Sequence, residues 1–157
     1  MTMDDLQDYL TGLPDEIMEG IPEIVAEVAT GYFKEAFAEK AFDGKPWAPL
    51  KKEKHHGSLM ITSGNLLNSI RPAYVGRDKV IMSAGNDKVP YAQAHNEGFA
   101  GSVMVPAHTR TSKKGKTVSV SAHTVKQNIP QREYMGKADE LATRLHDRIQ
   151  NHLNSKL

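Results

Sequence analysis

Seven histidines stand among 157 residues, and imidazole is the side chain most often used to bind a metal or move a proton near neutral pH. A metal site would draw on His55, His56, His95, His108 and His123. Their spacings match no zinc pattern, the chain has no cysteine, and no His-Glu-x-x-His pair occurs. They read as solvated loop histidines or partly buried hydrogen-bond formers, so neither a metal nor a cofactor is expected. Arg110 to Thr117 ends like a phosphate-binding loop, in Lys114-Gly-Lys-Thr117. The first glycine that such a loop requires is Arg110, however, and the flanks alternate like strands instead of running from a strand into a helix. A Ser-His-Asp set meets only in space, and nothing here marks a nucleophile elbow. The expectation is a protein without catalytic residues.

Positive charge is concentrated in the same stretch, at Arg110, Lys113, Lys114 and Lys116. Single-strand recognition interleaves aromatic residues with bases, and residues 108–128 contain no aromatic residue. Two readings stay open: a non-specific contact with DNA phosphates, or a solvated tip whose lysines keep an edge hairpin from pairing with other chains. Trp47, the only tryptophan, lies between Pro46 and Pro49. Such a residue is a core plug or an interface anchor.

The elements that must carry these residues follow from periodicity. Ile21, Ile24, Val25, Val28, Ala29, Tyr32, Phe33, Ala36 and Phe37 recur at steps of three and four, predicting an amphipathic helix from Pro22 to about Ala41. Asp43-Gly-Lys-Pro46 stops it. A second stripe of Ala138, Leu141, Ala142, Leu145, Ile149 and Leu153 predicts a C-terminal helix. Between them the period drops to two. Tyr74 and Val75, a Gly76-Arg-Asp78 turn, and then Val80, Met82 and Ala84 predict one hairpin. Ser102 to Val105 with Thr117 to Val125 predicts another, tipped by Lys113 to Lys116. Short helices are expected from Thr62 or Ser63 through Ile70, and over Pro90 to Gly98. The predicted class is α+β: an antiparallel sheet of two hairpins packed against a long N-terminal and a C-terminal amphipathic helix. One domain spanning 1–157 is expected, with 1–20 as a candidate mobile arm or short helix and 108–118 as a flexible tip. A compact monomer of this length exposes about 7,800 Å² of the roughly 25,000 Å² of its extended chain.

Lys and Arg total 20 and Asp and Glu total 19, a net charge of +1. That sum hides a split. Residues 1–44 hold eleven acids and two bases, net −9, and residues 45–157 hold eighteen bases and eight acids, net +10. The two regions either neutralise one another or face water separately within the fold, or lie on different faces so that copies associate head to tail or line a pore with positive charge. The absence of cysteine and of a basic and apolar leader points to assembly in a cytoplasm. No apolar run approaches the roughly 18 residues that a membrane span needs.

Read in order, four motifs form a series: Phe42 to Leu50, Leu59 to Ile70, Tyr91 to Gly98 and Ile129 to Gly136 before the terminal helix. The series resembles the phage virion morphogenesis family, the tail-completion proteins of Mu-like and related tailed phages and prophages. The matching positions are Trp47, Leu50, Gly64, Leu66, Ser69, Ile70, Tyr91, Ala92, His95, Gly98, Pro130, Arg132 and Gly136. Glu133 and Tyr134 stand where the family often has proline and phenylalanine, and the lysine-rich tip is longer than usual. The resemblance implies a structural protein that completes tails or joins head to tail through contacts with tail and connector proteins. It also implies a homo-oligomeric ring, a hexamer for preference, made in the bacterial cytoplasm and ending in the virion. The competing reading is a DNA-binding or packaging accessory using the basic segment 45–136. Among the matching positions Arg132 is a candidate carboxylate clamp and His95 a buried hydrogen-bond former, and none needs a catalytic role.

Overall fold

Two helices form the body: α2 (Ile21–Glu39) and α5 (Asp139–Asn154). The computed structural model describes residues 1–156. Pro22 sits in the first turn of α2, where its missing N–H costs no helical bond. The helix ends at Lys40, which takes a left-handed conformation (φ 56°) and donates its N–H to the Ala36 carbonyl. Asp43 (φ 46°) and Gly44 (φ 73°) then reverse the chain, pairing β1 (Ala41–Phe42) with β2 (Lys45–Pro46). The buried face of α2 is Ile21, Ile24, Ala29, Tyr32, Phe33, Ala36 and Phe37, with Ala26 added and Val25 and Val28 only half-buried. It packs on Leu141, Ala142, Leu145 and Ile149 of α5. Each large side chain so removed from water contributes about 1.5–3 kcal/mol. Arg144 of α5 ties the pair at the rim, bonding Glu35 and Glu140 and lying 5.1 Å over the Tyr32 ring.

The N-terminal stretch forms a helix, α1 (Met3–Thr11), whose first turn is closed by a reciprocal cap between Thr2 and Asp5. Leu6 is buried in the core, and Lys137 pairs with Asp4. A single turn at Asp15–Ile17 links it to α2.

The first hairpin joins β3 (Arg71–Val75) to β4 (Val80–Ser83). Val80 and Met82 face inward and are half-buried, while Ile81 points to solvent at 45% exposure. This hairpin packs on α2, with Leu66 and Ile70 at the entry of β3 closing the core. The short helix before it, α3 (Asn65–Ser69), starts after Gly64 and not at Thr62 or Ser63. The left-handed Gly64 (φ 78°) makes the turn, and Ser63 contributes only a 3.4 Å acceptor for the Asn65 N–H. A further short helix, α4 (Ala92–Glu97), lies within the predicted stretch.

The second hairpin departs most from expectation. β5 (Phe99–Val105) pairs with β8 (His123–Ile129), and β6 (His108–Thr111) pairs with β7 (Thr117–Val120). The register runs unchanged from Phe99↔Ile129 to Thr111↔Thr117, broken only where Pro106-Ala107 face Ser121-Ala122. Pro106 has no N–H to give to a ladder. The result is one two-stranded ribbon of about 40 Å at a rise of roughly 3.3 Å per residue. Of its strand residues only Val105, Val120 and Ile129 are half-buried, and all the others are exposed.

The α+β class therefore holds, with antiparallel pairing throughout. Contrary to expectation, the two hairpins do not share a sheet: every sheet among the described residues is two-stranded. The first spends its apolar face on α2. The second follows α4 after Gly98 (φ 80°, ψ 159°), and none of its strands pairs with β3 or β4. The accessible surface is 10775 Å², well above the compact value of about 7,800 Å². Among the described residues no helix is long and apolar enough to cross a membrane.

Candidate functional site

Several of the motif residues gather near the base of the ribbon. Trp47 leaves β2 with its own N–H bonded to the Lys40 carbonyl at 2.7 Å. Its indole lies edge-on to Phe37, centroids 5.4 Å apart, and its Nε1–H donates to the Glu133 carbonyl at 2.6 Å. One ring thus plugs the core and holds the last loop. Arg132, only 7% exposed, donates from Nε to the Ala48 carbonyl at 2.9 Å and from Nη2 to the Pro49 carbonyl at 3.3 Å. The proline-stiffened segment supplies carbonyls with no competing local partners, and a planar guanidinium spans two of them. No carboxylate pairs with Arg132 among the described residues. It clamps backbone, where the sequence suggested a carboxylate.

Tyr134 is buried to 1%, packs on Phe37 and donates its hydroxyl to the Ala92 carbonyl at 2.9 Å. Burial pushes its pKa up to about 12. Asn96 completes the latch: its Oδ1 accepts the N–H groups of Tyr134 and Met135, and its Nδ2 donates to the Met135 carbonyl at 2.9 Å. Neither Asn96 nor Tyr134 is among the thirteen motif positions. An asparagine near a helix end is ordinary in sequence, and only the fold brings a loop within its reach.

His95 forms the other wall. Its carbonyl accepts the Arg132 N–H at 2.9 Å, and Tyr91 stands edge-on to its ring at 5.7 Å. Its Nδ1 is buried without a hydrogen-bond partner. Burial, then the positive charges of Arg132 and Lys54, hold its pKa below the usual histidine value. Leu50, Gly64, Leu66, Tyr91, His95 and Arg132, all motif positions, line one cleft of about 380 Å³ that contains Lys54 and no acidic residue. Such a cleft can hold an anionic group.

The other motif positions shape the backbone. Ser69 donates to the Leu66 carbonyl and accepts the Gly85 N–H, joining α3 to the end of the first hairpin. Ile70 and Ala92 are buried. At Gly98 a β-carbon would approach the Gln131 nitrogen to 3.2 Å, so the crossing of the ribbon's two ends needs glycine. Pro130 is half-buried beside it, and Gly136 is exposed before α5.

The basic tip lies at the far end of the ribbon. Ser112 and Lys116 close the turn, with the Ser112 N–H bonded to the Lys116 carbonyl at 2.8 Å and Gly115 left-handed (φ 75°). Arg110, Lys113, Lys114 and Lys116 are all exposed. His55, His56, His108 and His123 are exposed as well, and the described residues contain no group of three or more metal-ligating side chains.

A family model of phage virion morphogenesis proteins matches residues 4–154. The chain belongs to the phage virion morphogenesis family. No curated protein and no solved structure matches it. In this chain the bonds from Arg132, Trp47 and Asn96 hold the base of the exposed ribbon and the loop after it to the body.

Proposed function

We propose that this phage virion morphogenesis protein completes the tail or joins it to the head, through protein–protein contacts, as a ring of identical copies. A hexamer is the working number. Its partners are then tail and head–tail connector proteins, met first in the bacterial cytoplasm and kept in the virion. The observation that supports this reading is the ribbon: about 40 Å of paired strand, exposed on both faces and anchored at its base by Arg132 and His95. A two-stranded ribbon is marginal in water by itself and gains stability when another surface covers it. Deleting the gene from an inducible prophage is expected to leave filled heads beside unjoined tails in electron micrographs. Normal virions in the deletion strain would overturn the reading.

A second reading rests on the tip. Arg110, Lys113, Lys114 and Lys116 carry exposed charge that no acid among the described residues neutralises, and phosphate contacts need only that. As a DNA-binding or packaging accessory the protein would be retained on duplex DNA at about 50 mM salt and released as salt rises. Retention should weaken when Lys113, Lys114 and Lys116 become alanine, and no binding at about 50 mM salt would reject the reading.

A further inference from the structure

We infer that the ribbon of one copy lies across the acidic N-terminal end of α2 in the next copy, and that this contact is what builds the ring. The inference deepens the ring reading above and rests on it.

The ribbon has two properties that call for a protein surface. Residues 98–132 contain no acid, and Arg110, Lys113, Lys114, Lys116 and Lys126 make no ion pair among the described residues. One face of its base is also apolar. Phe99 pairs with Ile129 and Val103 with Val125, and alternation puts both pairs on the same side. Phe99, Val103 and Val125 remain 38–39% exposed, and Met104 on the opposite face is 69% exposed. A phosphate backbone could use the charge but not the apolar pairs. A protein surface uses both.

The matching surface is on the same chain, and the ribbon makes no ion pair with it among the described residues. Glu16, Glu23 and Glu27 are exposed and make no ion pair among the described residues. Glu23 and Glu27 are four apart on α2, a like-charge spacing that weakens a helix unless a cation answers it. Beside them Glu19, Glu23 and Val75 line one groove of about 380 Å³, in which Arg77 is paired with Asp15 and Glu19 with Lys156, and Val75 and Tyr74 of the first hairpin are 39% and 51% exposed. Acids thus border exposed apolar residues on one copy, and the ribbon of the other carries its bases mainly at the tip and its apolar pairs at the base.

The contact joins two different patches, so it is heterologous and propagates from copy to copy until it closes. The accessible surface of 10775 Å² exceeds the compact value by about 3,000 Å². That excess marks an extended shape, as the exposed strands of the ribbon require.

A charge swap tests this. The ribbon variant carries Lys113→Glu, Lys114→Glu and Lys116→Glu, and the seat variant carries Glu16→Lys, Glu23→Lys and Glu27→Lys. All six side chains are exposed, so circular dichroism is expected to match the parent. Light scattering at about 50 mM salt should find the parent oligomeric. Each variant alone should self-associate at least about tenfold more weakly, a difference of one decade in Kd. An equimolar mixture should recover the oligomer, because each reversed patch then meets a reversed partner. If the ribbon variant assembles like the parent, or the mixture does not recover, this contact is wrong while the ring reading stands. A parent that stays monomeric from about 1 to 100 μM overturns both, since permanent interfaces hold well below that range. Duplex DNA retention lost in the ribbon variant, with assembly unchanged, reassigns the ribbon to nucleic acid.

Discussion

The backbone N–H of Arg132 donates to the carbonyl of His95 at 2.9 Å, just past the last ladder pair, Phe99↔Ile129. That bond closes the base of the ribbon. The Arg132 side chain carries the connection further, to the Ala48 and Pro49 carbonyls. Three chain segments far apart in sequence are thereby held at one corner, and the direction of the ribbon depends on all of them.

Arg132→Met keeps much of the side-chain volume but abandons both carbonyls. Charged hydrogen bonds contribute about 1.5–3 kcal/mol each, less when one is long, as at 3.3 Å. A loss of about 2–4 kcal/mol in urea unfolding is expected. Arg132→Lys should recover little of it, because one ammonium cannot span two carbonyls from within the plane of a fork. Full stability in the lysine variant would sink the clamp.

Trp47→Phe retains a ring against Phe37 but removes the donor to the Glu133 carbonyl. The expected cost is about 1–2 kcal/mol, against about 3–5 kcal/mol for Trp47→Ala. A parent-like melting temperature in the phenylalanine variant would mean that the indole bond contributes nothing.

Two glycines should respond with opposite signs. Gly98→Ala forces a side chain into φ 80° and ψ 159° and against Gln131 at 3.2 Å, at a cost of roughly 1–3 kcal/mol. Gly31 lies inside α2, and an added β-carbon there would meet nothing within 4 Å, so Gly31→Ala should stabilise by about 0.5–1 kcal/mol. Chemical denaturation of both variants checks the pair; equal signs would contradict the assigned backbone geometry.

His95 gives the fold a pH dependence. Its folded pKa lies below the ordinary value of 6.5 because burial and then Arg132 and Lys54 oppose its charge. The unfolded chain therefore binds the proton more readily, and stability rises with pH through that window. The neutral-histidine contribution is complete above about pH 6.5 and is lost as pH falls through the folded pKa. His95→Gln should flatten the stability profile between about pH 7.5 and 5. Identical slopes for parent and variant would show that His95 is not the group responsible.

Both long helices were legible because an apolar residue every three or four positions leaves only one way to bury a stripe. Tyr32, Phe33 and Phe37 on one side and Leu141, Leu145 and Ile149 on the other are in the core as that period requires. The first hairpin was legible for the same reason at a period of two. Alternation also marked the second hairpin, but it tells which residues share a face and is silent on what covers that face. Val103 and Val125 look like core residues in sequence and stand in solvent. The start of α3 was misplaced because Ser63 is a good cap by type, whereas the left-handed turn at Gly64 decides where the helix begins.

The motif positions were visible as a series, and their meeting was not. Trp47 reaches Glu133 across 86 positions and Arg132 reaches Ala48 across 84, and no local spacing encodes such bonds. Residue types and their periods determined by themselves the α+β class, the helices, the antiparallel pairing and the split of charge between the two parts of the chain. Tertiary structure alone decided that Arg132 grips carbonyls, that Asn96 and Tyr134 complete the latch, and that the basic hairpin leaves the body. The physical reason is that periodicity records how a segment divides its own faces, whereas partners are chosen by which distant segments the packed core brings within hydrogen-bonding distance.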